Sequence, residues 1–128
     1  MPIVHFHRAT NPATSDDCVH INSDAILFVQ ESPNMQMGKT EIQVIGLKTA
    51  SIRVIETLDE VLMHLPDLAQ VHRHYHAGEP SNGANKVHIA AQKVSYLRRS
   101  VPHGQAFWII RFKDEYELRN IEPLPSGL

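Results

Sequence analysis

The sequence predicts a predominantly β protein of the α+β class, built from two degenerate multi-strand repeats that form one sheet pair or small barrel, with one helix. Two observations carry this prediction: apolar residues recur with period two in short segments, and short motifs stand in the same order in both halves. With 128 residues, 42% hydrophobic and 20% charged, the chain has the size and composition of one globular domain. We therefore expect a single domain over residues 1–128.

Alternating patterns and enrichment in β-branched or aromatic residues indicate the strands. They are expected at about residues 2–7, 25–31, 41–46, 51–56, 86–89, 93–99, 105–113 and 115–121.

One helix is expected, at about residues 58–65. Thr57 and Glu60 have the spacing of a capping box, and apolar residues follow at helical spacing. Residues 66–85 contain glycine, proline and asparagine turn signals, and are expected to form a loop that connects the two halves.

The evidence for a repeat is a set of matching motifs. Val-His-Ile stands at residues 19–21 and again at 87–89, and Arg-x-Ile-Glu stands at 53–56 and again at 119–122. We interpret this as an internal duplication, with units at about 19–56 and 87–122. On this alignment Phe28 corresponds to Tyr96, and Ile42 corresponds to Trp108.

Two segments, at residues 26–29 and 107–112, are apolar on both faces of a strand. A single sheet with one wet face would show a cleaner alternation, so a second layer or a second copy must cover these strands. We therefore expect a homodimer.

A set of motifs in the first unit resembles a known family. They are Val19-His-Ile-Asn22, Ile26-Leu-Phe-Val29, Gly38-x-Thr40, Ile52-x-Val54-x-Glu56 and Leu58-Asp-Glu-Val61. Over residues 19–61 this cadence is similar to that of the FlbD-like short bacterial flagellar proteins. The resemblance implies a bacterial protein of similar architecture, and it carries no function by itself.

Enzymatic function is not favoured by the sequence. Neither a Gly-x-Ser-x-Gly elbow nor a Gly-x-Gly-x-x-Gly turn is present, and no other motif suggests a cofactor, so we expect none. Cys18 is the only cysteine, which excludes a disulfide within one chain and a multi-cysteine metal site.

Two groups of residues are candidate binding sites. The first is a basic and aromatic set on neighbouring strands of the second unit, a combination that binds single-stranded nucleic acid. It comprises Lys93, Tyr96, Arg98, Arg99, Trp108 and Arg111. The second is His72, His74 and His76, the closest group among nine histidines, which would share one face of a strand and bind a divalent metal.

The charge is divided unevenly along the chain. Residues 1–85 contain five Lys/Arg and ten Asp/Glu, a net charge of −5, whereas residues 86–128 contain seven and four, a net charge of +3. We expect a cytoplasmic, non-catalytic module that acts as a homodimer through contacts with an unidentified protein partner, away from membranes. A nucleic-acid-binding regulator and a histidine-rich metal binder are the alternatives.

Overall fold

A computed structural model describes residues 3–9, 18–32, 38–46, 51–73, 86–100, 107–113 and 117–120. These residues are mostly in strands, with one short α-helix and two single 3₁₀ turns, which confirms the α+β, predominantly β class. No helix among them is long and apolar enough to cross a membrane.

The described part of the chain forms ten strands and helix α1 (Leu58–Leu62). The strands are β1 (Ile3–His7), β2 (Cys18–Asn22), β3 (Ile26–Glu31), β4 (Thr40–Val44), β5 (Ile52–Val54), β6 (Ala69–His72), β7 (Lys86–Ile89), β8 (Val94–Ser100), β9 (Phe107–Phe112) and β10 (Glu117–Asn120).

These strands form three antiparallel sheets. Their orders are β1-β2, β5-β4-β3-β7-β6 and β10-β9-β8. Single bridges, Arg8 to Val54 and Arg73 to Asn120, connect the ends of the sheets. The expected sheet pair or small barrel is therefore divided into three sheets that do not close, because the ladders are reduced to single bridges at these corners.

Each half has the same order of elements: a hairpin, a 3₁₀ turn and a three-stranded meander. Both meanders also have a register irregularity at the same place, between Ile26 and Phe28 in β3 and between Val94 and Tyr96 in β8. Phe28 and Tyr96 therefore hold equivalent ladder positions, as the alignment predicts.

The alignment is wrong by two residues in the next strand. Trp108 of β9 is paired with Arg99 of β8 on one side and with Asn120 of β10 on the other. In the first half, Thr40 of β4 holds this position, between Glu31 of β3 and Val54 of β5. The position of Ile42 is taken by Ile110. The alignment matched Gly38 with Gly104, which assumes a turn two residues shorter in the second unit. Glu31 and Thr40 are nine residues apart, and so are Arg99 and Trp108, so the equivalent ladder positions show no such difference.

Strand β3 is buried on both faces and contributes to two hydrophobic cores. Ile26 and Val29 belong to the first core, whereas Leu27 and Phe28 belong to the second. The first core also contains Val4, Phe6, Ile21, Ile42, Val54, Val61 and Leu65. The second also contains Val71, Val87, Ile89, Ile110, Phe112 and Leu118.

This burial accounts for the two segments that are apolar on both faces of a strand. Both faces of β3 are covered within one chain, and Ile109, Ile110 and Phe112 of β9 are buried as well. These segments therefore do not require a second copy of the protein, and the homodimer stays a prediction.

Two expected boundaries differ from those in the structure. Residues 66–85 were expected to be a loop, but Ala69–His72 forms β6, because Ala69 and Val71 alternate inward against β7. Helix α1 has the expected capping box, with a Glu60 N–H donating to Thr57 Oγ1 over 3.2 Å. The helix ends at Leu62 because the following N–H groups of His64 and Leu65 donate three residues back, as in a 3₁₀ turn.

We predict that the two cores unfold together because β3 is part of both. Phe6 is 1% exposed in the first core, and Phe6→Ala should lower the free energy of unfolding by about 3–5 kcal/mol. Trp108, the only tryptophan, lies in the second half and reports on it. The unfolding midpoints measured by Trp108 fluorescence and by far-UV circular dichroism should therefore fall to the same lower value. Met63→Ala, at an 80% exposed position, is the control that should leave the midpoint unchanged.

We also predict a pH dependence from His88 in β7. Burial first, and then the charge of Lys86, lowers its pKa below the ordinary value of 6.5, while Asp59 acts in the opposite direction. The folded protein thus favours neutral His88, and stability should be lost as the pH falls below about 6.5, where the unfolded chain takes up the proton. His88→Gln should reduce this loss in denaturant titrations with a chelator present. His20→Gln, at the equivalent exposed position of β2, is the matched control; an equal effect of both variants would contradict the assignment.

Candidate metal centre

The β1–β2 hairpin presents one apolar face and one polar face. Val4, Phe6 and Ile21 point into the first core. Since successive residues of a strand alternate between faces, His5 of β1 and Cys18 and His20 of β2 lie on the opposite, exposed face.

The antiparallel register brings these three side chains together. His5 is directly opposite His20, and Cys18 is two residues before His20 on the same face. The two imidazole rings lie 4.2 Å apart between centroids at an angle of 75°. One ligand atom from each of the three residues lies within 4.8 Å of the other two. A nitrogen–nitrogen–sulfur set is thus assembled on a paired backbone.

This donor set fits a transition metal ion. Zinc binds imidazole nitrogen at about 2.0–2.1 Å and thiolate sulfur at about 2.3 Å, so ligand atoms around one tetrahedral ion stand about 3.5 Å apart. The separations here are at most 4.8 Å, and because all three residues are exposed, rotation of their side chains is the movement that would bring the ligand atoms closer. Imidazole and thiolate favour zinc and copper over magnesium or calcium.

His7 and Glu56 lie beside this trio. His7 is opposite Cys18 in the ladder, on the same face as His5. The main-chain N–H of His7 donates to both carboxylate oxygens of Glu56, at 3.0 and 3.1 Å, and its Nδ1 lies 2.8 Å from Oε2. With a proton on Nδ1 this ring is held by a carboxylate, the arrangement that commonly orients a metal-binding histidine.

The site is open to solvent. All three trio residues are exposed. A shallow pocket lies elsewhere on the surface, and it contains none of them; its lining residues are Glu31, Lys39, Thr57, Leu58 and Asp59. Among the residues that the structure describes, none encloses an ion at the trio in a substrate-binding cavity.

The predicted metal ligands are only partly within the described residues. His72 is the last residue of β6, and His74 and His76 lie outside the described residues. Sequence reasoning missed the actual cluster because His5 and His20 are far apart in the chain and residues 18–22 were not expected to be a strand. The signal was present: Val19 and Ile21 alternate with Cys18 and His20.

The predicted nucleic-acid set is divided between two faces. Leu97 and Ile110, which are paired, face the second core, so the alternate residues Tyr96, Arg98 and Arg111 face outward. Trp108 is on the inward side of β9, and Arg99 lies opposite it. Lys93 is in a 3₁₀ turn.

The outward part of that set is small. Tyr96 is 46% exposed, which contradicts its interpretation as a core position, and the Arg111 guanidinium lies 5.9 Å from its ring. Arg111 also donates to Glu117 over 3.4 Å, so part of its charge is already neutralised. Three residues on one face form a weaker stacking platform than the six that were predicted.

Comparison with known protein families, with curated proteins and with solved structures found no match to this chain.

Proposed function

We propose that this chain is a non-catalytic metal-binding module in which His5, Cys18 and His20 bind a zinc ion. The observation that carries the proposal is the convergence of three ligand atoms within 4.8 Å on one face of a two-stranded ladder. This is one of the alternatives indicated by the histidine content, at a different site from His72, His74 and His76.

Support for a binding rather than a catalytic function comes from the exposure of the trio. Catalytic zinc sites also use three protein ligands, but they are placed in a shaped cavity that excludes water and orients a substrate. His5, Cys18 and His20 are all exposed on the outer face of a hairpin. Such a site can hold an ion, and through it a partner, without positioning a substrate.

We propose Nε2 of His7 as the fourth ligand; the His7 ring lies outside the group whose ligand atoms are all within 4.8 Å of one another, so it would have to move toward the ion. Glu56 holds Nδ1 of this ring at 2.8 Å, which leaves Nε2 as the nitrogen that is available to an ion. The His7 side chain is 44% exposed and Glu56 is 15% exposed, so the carboxylate is the better shielded partner. In this arrangement Glu56 acts on the metal through His7, as a positioning residue.

A bound ion would stabilise the first half of the fold. It would connect β1 to β2 across residues 8–17, and ligand binding to the folded state alone raises the free energy of unfolding by mass action. Since the ligands must lose protons to bind the ion, binding weakens as the pH falls.

We predict that zinc at about 100 times its Kd raises the free energy of unfolding by about 2.7 kcal/mol. Cys18→Ser and His20→Ala should each abolish this increase, measured by thermal melting with and without a chelator. The matched control is the triple variant His72→Ala, His74→Ala, His76→Ala, which should keep it. Loss of the increase in the triple variant, with retention in Cys18→Ser, would show that the connector histidines are the site.

We predict a smaller effect at the positioning residue. Glu56→Gln keeps the size of the side chain but removes the charge that orients His7, and should weaken zinc binding about 10- to 100-fold. Cobalt titration, followed by the thiolate charge-transfer band, measures the affinity directly. Glu41→Gln, which alters a carboxylate bound instead to Gln30 and Arg53, is the control. Equal affinities in both variants would leave the ion with only three protein ligands.

We also infer that the two halves arose by duplication of one unit. The support is the common order of elements, the common register irregularity and the Val-His-Ile motif in β2 and β7. A cytoplasmic, bacterial protein that acts through protein contacts stays our broader expectation for its setting.

A further inference from the structure

The two halves are joined by one strand pairing. Strand β3 of the first half pairs with β7 of the second, with Phe28 opposite Ile89, Val29 opposite His88 and Gln30 opposite Val87. When the two halves are compared element by element, β8 corresponds to β3 and β2 corresponds to β7. Among the described strands, β8 pairs only with β9 and β2 pairs only with β1. Each has an open edge where its counterpart is occupied.

The side chains at these open edges are also less buried than their counterparts. Five of the six residues of β3 are buried, whereas none of the seven residues of β8 is. Phe28 is 3% exposed, and Tyr96 at the same ladder position is 46% exposed. Val87 is buried and its counterpart Val19 is only partly so. Each open edge thus lacks the cover that its counterpart receives in the β3–β7 junction.

We propose that β8 of one chain pairs in antiparallel fashion with β2 of a second copy, in the register of the β3–β7 junction. Assembly is then head to tail, because the two edges that meet are different surfaces. This inference goes beyond zinc binding and does not rest on it: side chains stand perpendicular to a sheet, so a pairing through the backbone edge of β2 does not use the ligand atoms of Cys18 and His20.

The register follows from the occupied junction. Ile21 of the second copy lies opposite Tyr96, His20 opposite Leu97 and Val19 opposite Arg98. One step further in the same register, Cys18 would lie opposite Arg99. The same tripeptide, Val-His-Ile, therefore occupies the same place on both edges.

Charge complementarity favours a second copy as the occupant. The half that contains β2 has a net charge of −5 and the half that contains β8 has a net charge of +3. Arg98 and Arg99 lie on the open edge, and two aspartates precede Cys18 in the sequence. The half of one copy that contains β8 thus attracts the half of the next copy that contains β2, while two halves of the same kind repel each other.

One position of the proposed junction is unfavourable. In the chain, Arg73 Nη1 donates to Gln30 Oε1 across the junction, over 3.2 Å. The counterparts of these residues are Arg8 and Arg98, so two positive charges replace a hydrogen-bonded pair. This mismatch should weaken the assembly, and correcting it should strengthen it.

The test uses the only cysteine. Wild-type protein, with Cys18, is mixed with a Cys18→Ser/Arg99→Cys variant under mild oxidation and with a chelator present. Opposed residues on neighbouring strands come within disulfide distance, so the mixture should form a mixed disulfide between the two proteins, identified by mass spectrometry. The register control is Cys18→Ser/Arg98→Cys, whose side chain points to the other face and should cross-link at least about tenfold less.

A mixed disulfide with Arg99→Cys that exceeds that of the Arg98→Cys control at least about tenfold supports the proposal. Equal cross-linking of both variants, or no mixed species at micromolar concentration, overturns it. Light scattering gives a second reading: a monomer that still binds zinc would overturn head-to-tail assembly while leaving the metal site intact. A monomer that instead binds single-stranded nucleic acid through Tyr96 and Arg98 would assign the open edge to that ligand.

Arg98→Gln supplies a gain-of-function test. This variant places a glutamine where Gln30 stands in the β3–β7 junction, so that it can accept a hydrogen bond from Arg8 of the second copy. Self-association, measured by sedimentation, should become about tenfold tighter. Unchanged or weaker association in this variant would contradict the proposed register.

Discussion

The structure depends on one strand whose two faces belong to different cores. Ile26 and Val29 of β3 pack with β1, β2 and α1, while Leu27 and Phe28 pack with β6, β7 and β9. A strand in this position has no wet face, so any polar side chain there would need a partner. Gln30 and Glu41 meet that need by bonding to each other over 2.9 Å, and Arg53 and Arg73 complete the network. The shared strand and this network therefore connect the two halves in spite of their similarity.

The position of β3 also explains why the side chains of β3 and β8 differ. Strand β3 is apolar on both faces because it lies between two cores, whereas the exposed residues of β8 include serine, tyrosine and arginine. In the first half the core is covered by Val61 of α1 and by Leu65, which follows the helix, and in the second half by the side chains of β3. Equivalent backbones thus carry different side chains because their surroundings differ.

Local patterns in the sequence were sufficient to predict most elements, and pairing information was not. The run of apolar, β-branched and aromatic residues at 26–29 and the capping box at Thr57 depend on near neighbours, so strand β3 and the start of α1 are correctly predicted. Strand β6 has only Ala69 and Val71 as apolar residues, and glycine and proline in the same segment outweighed them. The metal trio depends on the register between β1 and β2, which no local pattern contains; His5 and His20 meet only because Val4 lies opposite Ile21.

Strand β2 offers two surfaces that lie at right angles to each other. Its side chains on the outer face can hold an ion, and its backbone edge lies in the plane of the sheet and can accept a strand. An ion shared by His5 and His20 would fix β1 and β2 in register and so reduce the entropy that β2 loses when another strand pairs with it. If both surfaces are used, zinc binding and assembly are thermodynamically linked. The factor by which bound zinc raises the association constant of the copies must equal the factor by which assembly raises the affinity for zinc. A coupling of this sign arises from the ordering of one hairpin and needs no change in the position of any strand.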